Sequence, residues 1–241
     1  MKKTLLTLIG LAALSLAGVH GQIFNGNFTF NGTSGNVTSF AYNGTAMTNV
    51  TVSALTKNGV TTSSASGNFR ATNWALDAGN ATLTGSIDAT KYFEFALTPA
   101  SGFTLNIASF TFGVGRSGTG PRSFQWRSSL DSFAAPLSGY TSVNAALTQT
   151  SGVLTYTADA TTSATNNTLT FATPTYQNLS GVTFRYYGFN SEATGGTGGL
   201  EGAFSFTGEA VASAVPEPST WALIALGSAF VVWRTRRKSV C

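Results

Sequence analysis

Four charged residues lie close together in a chain in which only 9% of residues are charged: Arg116, Arg122, Arg127 and Asp131. Arginines can donate hydrogen bonds to the hydroxyls or carboxylates of a glycan, so this cluster is a candidate polar ligand site. A structural interpretation is also open. A guanidinium and a carboxylate match as a fork, so Arg127 could pair with Asp131 and hold the Ser128-Ser129 loop.

Carboxyl groups are the other candidates for chemistry. Glycoside hydrolysis uses two carboxyl groups ~5–10 Å apart, and the available acids are Glu94, Asp131, Glu192 and Glu201. The single Cys is Cys241 and the single His is His20. The body of the chain therefore cannot build a Ser-His-Asp triad, a Cys-His dyad or a His-Cys zinc site. We expect a non-catalytic protein with no cofactor and no metal site.

Residues 113–118 spell Gly-Val-Gly-Arg-Ser-Gly, the spacing of a dinucleotide-binding loop. That function needs a helix after the loop, and Thr119-Gly120-Pro121 would break one. The pattern therefore predicts a flexible loop. Residues 22–214 hold seven basic and eight acidic residues, a formal charge of −1. This charge, without a basic patch, argues against nucleic-acid binding.

Alternating apolar and polar residues predict β-strands throughout residues 22–214. The apolar members of the clearest runs are Phe93, Phe95 and Leu97, then Phe103, Leu105 and Ile107, and then Val182, Phe184 and Tyr186. Phe110 and Phe112 continue the second run one step out of phase, which predicts a bulge or turn near Ala108-Ser109. Leu130 to Leu137 fit one irregular helical turn. Aromatic residues in strands usually pack in a core, although Trp74, Trp126, Tyr186 and Tyr187 could instead stack on sugar rings.

About eleven short strands separated by turn residues predict an all-β fold. We favour an antiparallel β-sandwich of jelly-roll or concanavalin-like type over residues 22–214, with a barrel as the alternative. The first 70 residues have low sequence complexity and could form a β-solenoid-like extension. A chain of this length can bury a two-sheet core without disulfides.

The N-terminus has the features of a secretory signal peptide over residues 1–21. Lys2 and Lys3 precede an apolar stretch from Leu5 to Leu16, and small residues follow. Cleavage before Gln22 satisfies the small-residue rule, and cleavage after Ala17 is the alternative. A retained N-terminal membrane helix is the other interpretation.

The C-terminus, residues 215–241, contains three parts in order. A short motif consists of Val215, Pro216, Glu217, Pro218 and Ser219. A predicted transmembrane helix, 220–233, follows, and its thirteen residues from Trp221 to Trp233 extend ~20 Å, short of a ~30 Å hydrocarbon core. A basic tail with Arg234, Arg236 and Arg237 should stay in the cytoplasm. The alternative is a buried helix of a soluble domain.

Residues 215–238 resemble the PEP-CTERM sorting signal of exopolysaccharide-producing Gram-negative bacteria, in the Pro-Glu-Pro motif, the short helix and the Arg-rich end. The resemblance implies a precursor held transiently in the inner membrane and cut near Pro216-Glu217-Pro218 by an exosortase. The product would reach the cell surface or the extracellular space. Such tails also carry the name of an ice-binding protein C-terminal domain, which describes the anchor and says nothing of ice binding.

Residues 90–190 are similar to a block found in many secreted PEP-CTERM proteins. Segments such as Lys91-Tyr92-Phe93-Glu94-Phe95 and Phe184-Arg185-Tyr186-Tyr187-Gly188-Phe189 carry this likeness, which implies a sandwich of carbohydrate-binding or concanavalin-like shape. We therefore expect an exported protein with a structural, adhesive or glycan-associated role and exopolysaccharide as a partner. The alternative is a polysaccharide-active enzyme with a carboxylate pair on a concanavalin-like sandwich.

Overall fold

The structure is a computed structural model that describes residues 21–213, except 31, 33, 65, 78–81, 172 and 173, together with residues 226–228. The predicted signal peptide up to residue 20 lies outside the described residues. So do the sorting motif, 215–219, and the anchor residues Trp221, Trp233, Arg234, Arg236 and Arg237. Residues 226–228 form a short helical segment. No helix within the described ranges is long and apolar enough to cross a membrane.

The described chain folds into two antiparallel sheets that pack as a β-sandwich, so the all-β, two-sheet prediction is confirmed. The first sheet has the strand order β10-β13-β8-β15-β6-β5, and β1 pairs with β15. Its strands are β1 Gln22–Thr29, β5 Thr61–Thr62, β6 Asn68–Thr72, β8 Phe103–Arg116, β10 Tyr140–Ser142, β13 Thr162–Thr170 and β15 Gly198–Ala212.

The second sheet has the strand order β11-β12-β9-β14-β7-β4-β2, and β3 pairs with β7. Its strands are β2 Ser39–Phe40, β3 Val50–Val52, β4 Leu55–Asn58, β7 Tyr92–Pro99, β9 Ser123–Ser128, β11 Leu147–Thr150, β12 Val153–Tyr156 and β14 Val182–Phe189. Because β1 to β6 join the two sheets, the alternative of a separate solenoid-like extension in the first 70 residues is wrong.

Aromatic side chains from both sheets meet in one core. Phe204 of the first sheet stacks on Trp126 of the second at a ring-centroid distance of 5.1 Å, and Phe110 meets Phe184 edge-on at 4.7 Å. All four side chains are fully buried. Each such aromatic pair stabilises the fold by ~0.5–1.5 kcal/mol beyond the contribution of its buried surface area. The alternating apolar residues of the sequence thus form the core between the two sheets.

The strand β8 departs from the sequence-based expectation in its length. It runs without a break through Ala108 and Ser109, whereas the change of phase was consistent with a turn there. Ser109 pairs with Thr207, and Ile107 pairs with Gly208, so Ala108 is the extra residue of a β-bulge. The bulge was the other predicted possibility and it is confirmed. The bulge allows one fourteen-residue strand to bury the apolar side chains on both sides of the change of phase, such as Ile107 and Phe110.

Among the residues that the structure describes, three 3-10 turns cover Ser34–Asn36, Ser129–Asp131 and Pro174–Tyr176. The second turn falls at the start of the predicted irregular turn of residues 130–137. Ser132 and Phe133 follow it in the left-handed region, with φ of 60° and 61°. The chain therefore reverses within a few residues after β9.

The first and last strands of the sandwich are neighbours. Gln22 at the start of β1 pairs with Ala210 near the end of β15. Beyond β15, the amide of Ser213 donates a hydrogen bond to the carbonyl of Gly102 at 2.7 Å. Both ends of the described sandwich therefore lie at the same end of the first sheet.

Candidate functional site

Arg116, at the end of β8, is fully buried and binds two carboxylates. Its Nη1 donates to Asp159 Oδ1 at 2.9 Å, and its Nη2 donates to Glu192 Oε1 at 3.2 Å. The same guanidinium donates to the carbonyls of Gly118 and Gly120 at distances between 2.6 and 3.1 Å. One buried cation therefore joins three loops at one end of the sandwich. We call Arg116, Asp159 and Glu192 the Arg116 hub.

The two carboxylates of the Arg116 hub have opposite pKa shifts. Hydrogen bonding to Arg116 lowers the pKa of Asp159 below its ordinary value. Burial, followed by the hydrogen bond with Asp159, raises the pKa of Glu192. The adjacent carboxylates compete for one guanidinium, so one of them gains a proton more readily than the other. This arrangement is that of a structural ion pair in which one guanidinium holds two carboxylates.

The predicted cluster divides into two parts, because Arg122 precedes β9 and Arg127 lies near its far end. Five residues of extended chain separate them by ~17 Å. Arg122 is buried beside the Arg116 hub, where its Nη2 donates to the carbonyl of Tyr156 at 3.2 Å. The four charged residues are close together in the sequence, but they do not form a single site in the structure.

Arg127 and Asp131 do not pair with each other, so the predicted fork is wrong. Arg127 Nη1 donates to the carbonyls of Phe133 and Ala134 at 2.7 and 2.8 Å. The Asp131 carboxylate accepts from the amides of Ala134 and Ala135 at 3.2 and 2.9 Å. Both side chains therefore bind the backbone of the same turn. Arg127 donates to its carbonyls, and Asp131 accepts from its amides.

The remaining candidate acids each face an arginine. Arg185 Nε donates to Glu94 Oε2 at 2.7 Å on the outer side of the second sheet. The Arg185 guanidinium lies between the rings of Tyr92 and Phe133, 4.0 and 3.9 Å from their centroids. Glu201 forms an ion pair with Arg70.

The four aromatic residues considered for sugar stacking are Trp74, Trp126, Tyr186 and Tyr187, and all are buried. The core interpretation is correct for Trp74, Trp126 and Tyr186, whereas Tyr187 is covered on the outer side of the second sheet by Tyr92 and Arg127. The glycine-rich motif is also part of the sandwich, since Gly113 and Gly115 lie inside β8. Only Ser117 to Gly120 form a turn, and β9 follows it. The prediction of a flexible loop is wrong for the first half of the motif.

The outer face of the first sheet carries two parallel rows of hydroxyl and amide side chains. The strand register aligns the first row as Asn25, Thr207, Ser109 and Thr170, and Thr141 bonds to Thr170 at 3.0 Å. It aligns the second row as Asn27, Ser205, Thr111, Thr168 and Ser142. We call these ten residues the hydroxyl terrace.

The hydroxyl terrace spans five strands. With strands ~4.8 Å apart it is ~19 Å long, and its two rows are ~7 Å apart along the strands. Ser109 and Thr207 share a hydrogen bond of 2.8 Å across the strands, and Thr111 and Thr168 share one of 3.5 Å. All ten residues are partly or fully exposed, and none is charged or aromatic. The terrace can therefore offer donors and acceptors to a flat, uncharged partner.

Two hollows border the terrace. One has a volume of about 570 Å³ and shares Asn25 and Thr207 with the first row. The other has a volume of about 250 Å³ and shares Thr111 and Ser205 with the second row. Each contains a single carboxylate among the described residues, Glu209 and Glu201 respectively.

Sequence reasoning missed the terrace because each of its strands contributes only two or three polar residues. A signal was nevertheless present in the short alternations Phe204-Ser205-Phe206-Thr207 and Phe110-Thr111-Phe112. These show a polar face opposite each core face. The register that aligns them across five strands is not visible in the sequence.

Residues 214–238 match the PEP-CTERM protein-sorting motif. No curated protein and no solved structure shows a significant match to the chain. The chain therefore carries the sorting motif that Pro216-Glu217-Pro218 and the basic tail predicted. This motif implies an exported protein that an exosortase processes for the cell surface.

Proposed function

We propose that this chain is a non-catalytic structural or adhesive protein that is exported, processed at its C-terminal motif and then associates with neutral exopolysaccharide through the hydroxyl terrace. The hydroxyl terrace is the observation that carries the glycan-associated part of this proposal. The sorting motif supports delivery to the cell surface or the extracellular matrix. In the precursor, the predicted helix 220–233 would hold the chain in the inner membrane until processing.

Neutral polysaccharide suits the terrace because its hydroxyls both donate and accept, as Ser, Thr and Asn side chains do. The ten residues of the terrace are uncharged, so they place no desolvated charge against the polymer. The terrace lacks the aromatic platforms that give a single tight sugar site, so each contact should be weak. Weak contacts along a polymer add up through multivalency, which fits a matrix component.

The positions of the acids favour this role over the enzymatic alternative. Asp159 and Glu192 are adjacent carboxylates, but they share the Arg116 guanidinium. Glu94 and Glu201 are each paired with an arginine. A hydrolase would instead need two carboxyl groups ~5–10 Å apart facing a groove.

The test uses the mature protein recovered from culture medium and neutral exopolysaccharide immobilised on a matrix. Thr111→Val with Thr168→Val removes two adjacent hydroxyls of the terrace while keeping a β-branched side chain of similar shape. We expect retention on the polysaccharide to fall several-fold. The control is Thr51→Val with Thr98→Val, an exposed pair that is also adjacent across strands, but on the second sheet.

Equal retention of both double variants and the wild type would count against the terrace as the contact face. Release of reducing sugar from the polysaccharide by the mature protein, abolished by Asp159→Asn with Glu192→Gln, would instead support the enzymatic alternative. Thermal unfolding of each variant, followed by circular dichroism, separates lost binding from lost folding.

A further inference from the structure

The sorting motif begins where the sandwich ends. The last strand, β15, ends at Ala212, and the amide of Ser213 still bonds to the carbonyl of Gly102. The matched motif begins at the next residue, 214. The chain therefore passes from a hydrogen-bonded residue of the fold to the sorting motif without a linker.

Chain length limits how far the cut can lie from the fold. Pro216 is three residues beyond Ser213, and each residue extends at most ~3.3–3.6 Å. The start of the Pro-Glu-Pro motif can thus lie no more than ~11 Å from the bonded residue. An enzyme that binds this motif would therefore lie close to the adjoining end of the sandwich.

Three segments form this end of the sandwich. They are the start of β1 at Gln22, the turn Ala100–Gly102 between β7 and β8, and Ser213. Phe103 donates to the carbonyl of Ala100 and closes the turn, while Asn49 Nδ2 donates to Gln22 Oε1. Gln22, the three turn residues and Ser213 are exposed, and none is charged. This surface, which we call the exit end, has no charged side chain to place against the membrane surface or an enzyme embedded in it.

We infer that the exit end docks against the membrane-embedded exosortase while the sorting motif is processed, so that the enzyme acts on an already folded sandwich. The inference deepens the proposed function, because it rests on exosortase processing. The predicted signal-peptide cleavage site before Gln22 lies at the same end. Both processing events would therefore occur on one side of the folded body.

The exit end has a matched control at the opposite end of the first sheet. Gly102 and Gly195 are both exposed turn glycines at which an added side chain would meet nothing within 4 Å. Gly195 precedes the start of β15, and the fifteen residues of this strand place its two ends roughly 45 Å apart. The same small folded domain, with neighbouring termini, can therefore be inserted after either glycine in the full chain.

We expect the insertion after Gly102 to leave an uncut, membrane-retained precursor in immunoblots of fractionated cells. The insertion after Gly195 should be cut and released as the wild type is. A 20-residue Gly/Ser spacer placed after Ser213 in the Gly102 variant spans roughly 25 Å on average. It should restore cutting, because it moves the motif away from the obstruction.

Normal release of the Gly102 variant would overturn the inference. Failure of the spacer to restore release would also overturn it, since misfolding would then explain the block. A further variant separates this inference from the proposed function. If replacing Pro216, Glu217 and Pro218 with alanine leaves release unchanged, exosortase processing itself is wrong, whatever the insertions do.

Discussion

Replacing Arg116 with methionine should test whether the Arg116 hub holds one end of the sandwich together. Methionine keeps an unbranched stem of similar length but cannot donate. The change removes the partner of the buried carbonyl of Gly120 and leaves Asp159 and Glu192 adjacent without the guanidinium that binds both of them. Removing one member of a buried ion pair typically costs about 3–5 kcal/mol.

Solvent exposure reduces this figure only in part. The Asp159 side chain is 39% exposed, so water can solvate its charge once Arg116 is gone, but the Glu192 side chain is 18% exposed. We expect a loss near the lower end of the range, about 3 kcal/mol. At roughly 2–4 °C per kcal/mol for a domain of this size, the unfolding temperature should fall by about 6–12 °C.

The assay is thermal unfolding of the mature protein, followed by circular dichroism at pH 7, with Arg127→Met as the matched control. Arg127 is partly exposed. It donates to two backbone carbonyls and to the side-chain oxygen of Gln125 at 3.1 Å, and it lies 5.8 Å from the ring centroid of Tyr187, so its loss should cost about 1–2 kcal/mol. If Arg116→Met lowers the unfolding temperature no more than Arg127→Met does, the reasoning about the hub is refuted.

The pH dependence provides a second check on the same variant. In the wild type, the lowered pKa of Asp159 gives stability that is present above its unfolded pKa and is lost as the pH falls. Without Arg116, the two adjacent carboxylates repel each other, which raises their pKa values in the folded state. The variant should then gain stability as the pH falls from 7 to 5. The difference in unfolding temperature between the variant and the wild type should therefore narrow at acidic pH. A constant difference would contradict the expected repulsion between the two carboxylates.

Three further tests, with five substitutions, address local packing and burial. Gly120→Ala should lower the free energy of unfolding by about 1–3 kcal/mol in urea titrations, because the new methyl group meets the carbonyl of Thr197, whereas Gly118→Ala, with 3.8 Å of clearance, should be neutral. Burial lowers the pKa of Lys57 to about 8, so as the pH rises the folded state loses that proton before the unfolded state does. The free energy of unfolding of the wild type should therefore rise by about 1 kcal/mol between pH 8 and 9.5. Lys57→Met should abolish this rise, and an unchanged rise would assign it to other groups. The Tyr186 hydroxyl is buried without a hydrogen-bond partner among the described residues, so Tyr186→Phe should be neutral or stabilising, whereas Tyr156→Phe, which loses a 2.8 Å bond to the carbonyl of Val114, should destabilise by about 1 kcal/mol.

Local periodicity was sufficient to predict which residues form the core. Phe93, Phe95 and Leu97 alternate with polar residues, and all three are buried as the pattern indicated. The bulge at Ala108 was also predictable, because a change of phase in a continuous strand requires an extra residue. These features depend on neighbours within a few positions. The jelly-roll or concanavalin-like type of the sandwich stays a prediction.

The contacts of the candidate sites depend on residues far apart in the chain, and sequence reasoning could not predict them. Arg116 binds Asp159 and Glu192, which are 43 and 76 positions away. Arg127 and Asp131 are four positions apart and were expected to pair, yet each satisfies the backbone of the intervening turn. The hydroxyl terrace depends on the alignment of five strands, and a register shift of one residue would turn its side chains into the core.

The central position of β15 links the completion of translation to the stability of the product. This strand pairs with β8 on one side and with β6 and β1 on the other. Its partner β1, which contains the buried Phe24 and Phe28, is synthesised long before it. A polypeptide that terminates early would lack both the central strand and the sorting motif that follows it. Truncated molecules would then be unfolded and accessible to periplasmic proteases. They would also lack the sorting motif, so only complete molecules would be displayed at the surface.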